Sequence, residues 1–191
     1  MLNFLIYNLL QSYRAPRAAA RRALEVIDTF EEIALILGLS FTVTAFLEGL
    51  VLFAGGGVMF GIGLIFSNLV FNLVAYVVAM FLIQRIGALF GGGASMRDIA
   101  VVLAWHSLMM VVFAPLVAVV MLPGVGPGVL MLIGLALLAL VGFMLWLLAN
   151  FIAEAHGFAS ALRVAGALFA GMFVIGLVLS SLIPNLLIPA Q

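Results

Sequence analysis

The sequence predicts an all-α, polytopic membrane protein: a bundle of five transmembrane helices preceded by an amphipathic helix at the interface. Three observations carry that expectation. Of 191 residues, 68% are hydrophobic and 7% charged, against the roughly 25% charge with which a soluble domain covers its surface; mean hydropathy is +1.44. The apolar residues fall into five long runs, each near the roughly 20 residues a bilayer requires. With five spans, all seven arginines fall on one side and none on the other.

Composition also excludes whole classes of function. A formal net charge of zero argues against a nucleic-acid partner. The absence of cysteine removes disulfides, thiolate metal sites and a cysteine nucleophile. There is no lysine, so the positive charges are Arg14, Arg17, Arg21, Arg22, Arg85, Arg97 and Arg163. The apolar start followed by Ala18-Ala19-Ala20 imitates a cleaved signal. The arginines follow the apolar stretch, however, the reverse of a secretory signal, and the segment is expected to be retained.

Residues 1–12 are too short to span. Asn3, Asn8 and Gln11 occupy one half of a helical wheel opposite Leu5, Ile6 and Leu9, which suits an interfacial helix or a segment packed under the bundle. Pro16 marks a break and a new helix start. Arg14, Arg17, Arg21, Glu25, Asp28 and Glu32 then recur three or four residues apart, one polar stripe on a helix, with Ala19, Ala23, Val26, Ile27 and Phe30 opposite. Basic residues first and acids second inverts the preference of the helix dipole. Attraction of Arg14, Arg17, Arg21 and Arg22 to anionic head groups explains that order better. Residues 1–32 therefore read as a membrane anchor, with a docking surface for a partner as the alternative.

The expected spans are 33–53, 58–84, 99–121, 129–151 and 164–188, within a domain of residues 33–188. The first and third connections are glycine-rich and uncharged; the second (85–98) holds Arg85 and Arg97, and the fourth (152–163) holds Glu154, His156 and Arg163. The positive-inside rule makes the arginine side cytoplasmic. The expected location is a cell inner (plasma) membrane, N-terminus inside and C-terminus in the periplasm. Gly166/Ala170 and Ala167/Gly171 form two overlapping small-xxx-small pairs that let helix backbones approach. Pro115 and Pro184 are expected to kink or end their helices.

Chemistry-bearing residues inside the spans are few. Glu48 lies roughly 7 Å outward of the first span's centre, at 1.5 Å per residue. A lone ionised carboxylate there is costly, so it is expected to be protonated, paired or wet. A ligand, ion or proton site and a structural hydrogen bond are both open readings. Asn68 and Asn72 share a face near the middle of the second span, a spacing that suits helix-to-helix hydrogen bonds. Depth counting places Asn68 near Glu48, His106 on the inner side, and Ser180 and Ser181 on the outer side, so that together they could line a polar seam. His106 and His156 are the only histidines, and no cluster has metal-ligand spacing, so no metal or other cofactor is expected. For His106 a bond to a neighbouring helix is the expectation; Glu154 and His156 are expected on a solvated rim. GxSxG, HExxH and Walker motifs are absent, and no enzyme is expected.

Gly91-Gly92-Gly93-Ala94-Ser95-Met96-Arg97-Asp98, leading into an apolar helix with Trp105 and then Pro115, resembles the Yip1-domain family in a bacterial form. Trp146 and Ile152-Ala153-Glu154-Ala155-His156-Gly157-Phe158-Ala159-Ser160 support the resemblance, which covers roughly residues 30–190. It implies a five-helix membrane domain with a cytoplasmic N-terminus. Eukaryotic relatives associate with small Rab GTPases and with one another; this chain lacks their long N-terminal region and DLYGP-type signature, and no binding residue carries over. The functional expectation is a non-enzymatic scaffold or accessory subunit acting through association with lipids, a protein partner or its own copies. The alternative is a small transporter or channel using Glu48, Asn68 and Asn72.

Overall fold

The computed structural model describes residues 2–54, 58–113 and 127–187, with side chains at these positions except 2–6, 48, 50–54, 58–64, 68, 127, 130, 179 and 182–187. The described residues are helical and contain no strand. Seven helices follow in order: α1 Leu2–Arg14, α2 Pro16–Val26, α3 Phe30–Ala54, α4 Val58–Leu89, α5 Met96–Val111, α6 Pro127–His156 and α7 Ala161–Leu187. Four stretches are long and apolar enough to cross a membrane: Phe30–Leu47, Ile65–Leu89, Met131–His156 and Ala161–Val178. Of the expected third span, residues 99–111 belong to α5, and 114–121, with Pro115, lie outside the described residues. α7 continues through Pro184 to Leu187.

The helix start expected at Pro16 is present, while the polar stripe expected to run on to residue 32 is interrupted after Val26. Pro16, which has no amide hydrogen, opens α2 after Ala15 leaves helical geometry. α2 stops at Val26, and Ile27 is extended. There the backbone turns into α3 through a reciprocal cap: Thr29 Oγ1 accepts the Glu32 amide at 3.2 Å, while Glu32 Oε2 accepts the Asp28 and Thr29 amides at 2.7 and 3.1 Å. Glu32 is thus the start of a span, and no longer the end of the stripe.

α5 is the hub. Ile99 through Trp105 and Met109 are buried, enclosed by α2, α3, α4 and α6. Its start is specified by a capping box in which Ser95 Oγ accepts the Asp98 amide and the Asp98 carboxylate accepts the Ser95 amide. Hydrogen bonds tie α4 and α1 to α5. Tyr76 of α4 donates to the Ala100 carbonyl at 2.6 Å. Trp105 Nε1 donates to Ser12 Oγ at 2.9 Å, and the Ser12 hydroxyl in turn donates to the Asn8 carbonyl at 2.8 Å. Tyr13 OH donates to the Met109 carbonyl at 3.4 Å, its ring between those of Phe113 and Phe143. The end of α1 therefore reaches more than two turns along α5, and α1 and α2 are packed into the bundle. α7 makes its main contacts with α6, leaving its other faces bare.

Candidate functional site

The polar features occupy two levels. At one pole of the bundle the ends of α2, α4, α5 and α6 meet. Arg97 donates to the last carbonyls of the α2 region, Ile27 at 2.7 Å and Asp28 at 3.1 Å, and pairs with the Asp28 carboxylate at 2.8 Å. A guanidinium at a helix C-terminus satisfies orphan carbonyls and meets the negative end of the dipole. Arg21 pairs with Glu154 of α6 at 2.6 Å, and Arg17 donates to the Phe158 carbonyl at 2.5 Å. Of the four arginines expected to anchor the chain to head groups, Arg17 and Arg21 thus have partners within the chain. Arg22 lies 5.9 Å over the Tyr7 ring and 3.5 Å from Asn8 Oδ1, and Arg14 is exposed.

His156 corrects the expectation of a solvated rim. α6 runs to residue 156, and the imidazole is 4% exposed. It lies where a Cβ on Gly87 or Gly92 would stand and stacks on Phe158 at 5.1 Å. Only residues without a Cβ leave room for the ring. Gly91, at φ +83°, turns the chain so that Gly92 N reaches Gly87 O at 2.9 Å and Gly93 N reaches His156 O at 3.1 Å. Both ring nitrogens are buried without a hydrogen-bond partner among the described residues. The glycine hook and the 152–160 segment, far apart in sequence, form one contact.

The second level lies within the bundle. α3, α4 and α5 surround a cavity of about 230 Å³ into which Ser40, Thr44, Asn72 and Ser107 bring polar groups among Phe41, Ala45, Leu69 and Met110. Ser40 is buried and donates to its own helix at Ile36 O, 2.7 Å. Residue 48 is one turn beyond Thr44 on α3, and residue 68 one turn before Asn72 on α4; the side chains of Glu48 and Asn68 lie outside the described residues. Three small hydroxyl residues join the expected Asn72 here. Reading them from sequence is difficult because Ser and Thr are common at helix contacts in apolar spans. The available signal was the four-residue period Ser40, Thr44, Glu48, in phase on α3 as Asn68 and Asn72 are on α4.

The remaining expected members of the seam sit elsewhere. His106 Nε2 meets the Met144 carbonyl of α6 at 3.2 Å, and its ring lies edge-on to Phe151. Ser107, next in the chain, is the α5 residue that lines the cavity. Ser180 is exposed on α7 and donates to Leu177 O at 2.9 Å. Gly166, Ala167, Ala170 and Gly171 are also exposed on α7, and a Cβ added to Gly166 or Gly171 would meet nothing within 4 Å. Among the described residues no group of three His, Cys, Asp or Glu could hold a metal ion. Comparison with protein families, with curated proteins and with solved structures yields no match.

Proposed function

We propose that this chain is a non-enzymatic, multi-pass membrane protein that works by association, as a scaffold or accessory subunit of a membrane assembly. One observation carries the reading. Charged side chains at the pole tie the chain to itself, while the outward faces of α4 and α7 are apolar and unpaired within the chain. Arg17, Arg21, Arg97 and Asp98 all bond backbone or opposite charge within the fold, so that these charges at the pole are engaged in holding the helices together. On α7, Gly166, Ala167, Ala170 and Gly171 offer a shallow surface to another helix.

The reading includes a fifth span formed by α5 and the residues after it, with the arginine pole in the cytoplasm. The resemblance to the Yip1-domain family belongs to the same proposal. Its support is that the two motifs carrying it, 91–98 and 152–160, pack on each other at His156. The test is native mass spectrometry of the protein extracted gently from its own membrane. A second protein at fixed stoichiometry, or a discrete oligomer, lost in Gly166→Leu/Gly171→Leu, is the expected result; a lipid-bound monomer in both forms rejects it.

The polar cavity favours one rival, a small transporter. Four polar residues from three helices around about 230 Å³ make room for several waters or a small polar solute. That reading requires flux in liposomes containing this chain alone, abolished by Asn72→Leu.

A further inference from the structure

A second cavity, of about 280 Å³, runs between the N-terminal helices and α3. Ala23 and Val26 of α2 form one wall, Leu35 and Leu39 of α3 the other, and Trp105 of α5 the floor. The lining is nearly all carbon, apart from Asn8 and Glu32. Leu35 and Leu39, 73% and 53% exposed, continue the groove onto the outer flank of α3. That flank belongs to a helix apolar enough to cross a membrane, so hydrocarbon chains are the solvent it meets. Water gains little in such a groove, which has few polar partners to hold it. From residue 32 to residue 39, α3 rises about 10 Å at 1.5 Å per residue. This is some two thirds of the roughly 15 Å of hydrocarbon in one leaflet.

Charge decides which lipid suits the groove. Arg22 is one helical turn from Ala19 and Val26, both groove-lining, and its guanidinium is held between the Tyr7 ring and Asn8 Oδ1. Arg17 and Arg21, by contrast, reach α6 and the segment after it. Among the described residues Arg22 makes no ion pair. Glu32, the one acid in the lining, accepts the Asp28 and Thr29 amides, so its charge is held by the first turn of α3. Arg97 also reaches the groove at Ile27 but is paired with Asp28. Arg22 is the cation left beside this apolar slot without an ion pair among the described residues, which matches a phosphate-bearing head group and the upper part of its chain.

We propose that the groove between α2 and α3 binds one acyl chain of an anionic phospholipid, with Arg22 at its head group. This goes beyond the assembly reading and does not depend on it. The test uses the full chain carrying Trp146→Phe, which leaves Trp105 as the sole tryptophan, in nanodiscs of phosphatidylcholine or phosphatidylglycerol with brominated acyl chains. Phosphatidylglycerol is expected to compete for the site about fivefold better, the ratio that roughly 1 kcal/mol from one arginine at an anionic surface implies. Arg22→Gln should remove that preference, and Ala23→Leu, which fills the slot, should remove quenching by both lipids. Should Ala23→Leu fail to fold, the Arg22→Gln comparison decides alone. Equal quenching by the two lipids, a preference that survives Arg22→Gln, or quenching that survives Ala23→Leu in a folded protein each overturn the proposal.

Discussion

At the scale of single residues, the His156 ring fills the space that a Cβ on Gly87 or Gly92 would need. Gly87 is helical, and alanine there would ordinarily gain about 0.5–1 kcal/mol by reducing backbone entropy. Here the added methyl meets the imidazole, and overpacking of this kind costs about 1–3 kcal/mol. Gly87→Ala is therefore expected to destabilise the protein, and to stabilise it once His156→Ala has emptied the slot. Unfolding in mixed micelles measures that reversal; a penalty that persists with His156→Ala rejects the slot. Arg97 poses a second question, whether its carbonyl bonds or its ion pair matter more. Asp28 is 86% exposed, so Asp28→Asn should cost under about 1 kcal/mol. Arg97→Gln should cost about 1.5–3 kcal/mol, because charge-assisted bonds to the Ile27 and Asp28 carbonyls go as well. Equal losses in the two variants would assign the whole effect to the ion pair.

At the scale of elements, α1 and α2 act as a wedge seated on α5. After Pro16 the buried positions of α2 are all alanine, Ala19, Ala20 and Ala23, which lets α2 lie close to α5 and α6. The seat is polar where Tyr13 donates to the Met109 carbonyl and, fully buried, where the Trp105 indole donates to Ser12. Ser12→Val leaves that buried N–H without an acceptor, at about 1–3 kcal/mol. Ser12→Thr, which keeps the oxygen, is expected to restore most of the loss. Removing residues 1–28 should uncover Trp105 and shift its emission to longer wavelength in the Trp146→Phe background; an unchanged spectrum means that the N-terminal helices do not cover it. The Arg21–Glu154 pair is a lesser tie. Arg21 is 68% exposed, and solvent screening leaves such pairs worth under about 1 kcal/mol.

At the scale of the whole molecule, the ends of α2, α4, α5 and α6 gather at one pole, joined by bonds between residues as far apart as 17 and 158. If that pole faces the cytoplasm, two positions on it must be labelled from the same side. The chain has no cysteine of its own, so Ser95→Cys and Ser160→Cys serve as single probes. An impermeant maleimide is expected to reach both in inverted vesicles and neither in right-side-out ones, with Val125→Cys, in the third predicted connection, reversed. Ser95→Cys and Ser160→Cys labelled from opposite sides would break the topology.

The sequence by itself determined the helical class of the fold and which stretches are apolar enough to cross a membrane. Four helices long and apolar enough to cross a membrane match four of the predicted spans to within a turn or two at most ends. Hydrophobic runs and helix breakers such as Pro16 are local, and local signals survive without a structure. The polar groups could not be placed that way. Arg97 stood out in the sequence only as a positive charge between spans, and its bond to the end of a helix 70 positions earlier is not legible there. His156 looked solvated and is buried, because two glycines some 64 and 69 positions before it leave room for its ring. His106 on the inner side and Ser180 on the outer side were expected to extend a seam through Asn72, yet His106 meets α6 and Ser180 is exposed on α7, while Ser40, Thr44 and Ser107 surround the cavity. Depth along a helix is a property of sequence position. Facing is set by which helix lies alongside, and only the packing around α5 decided it.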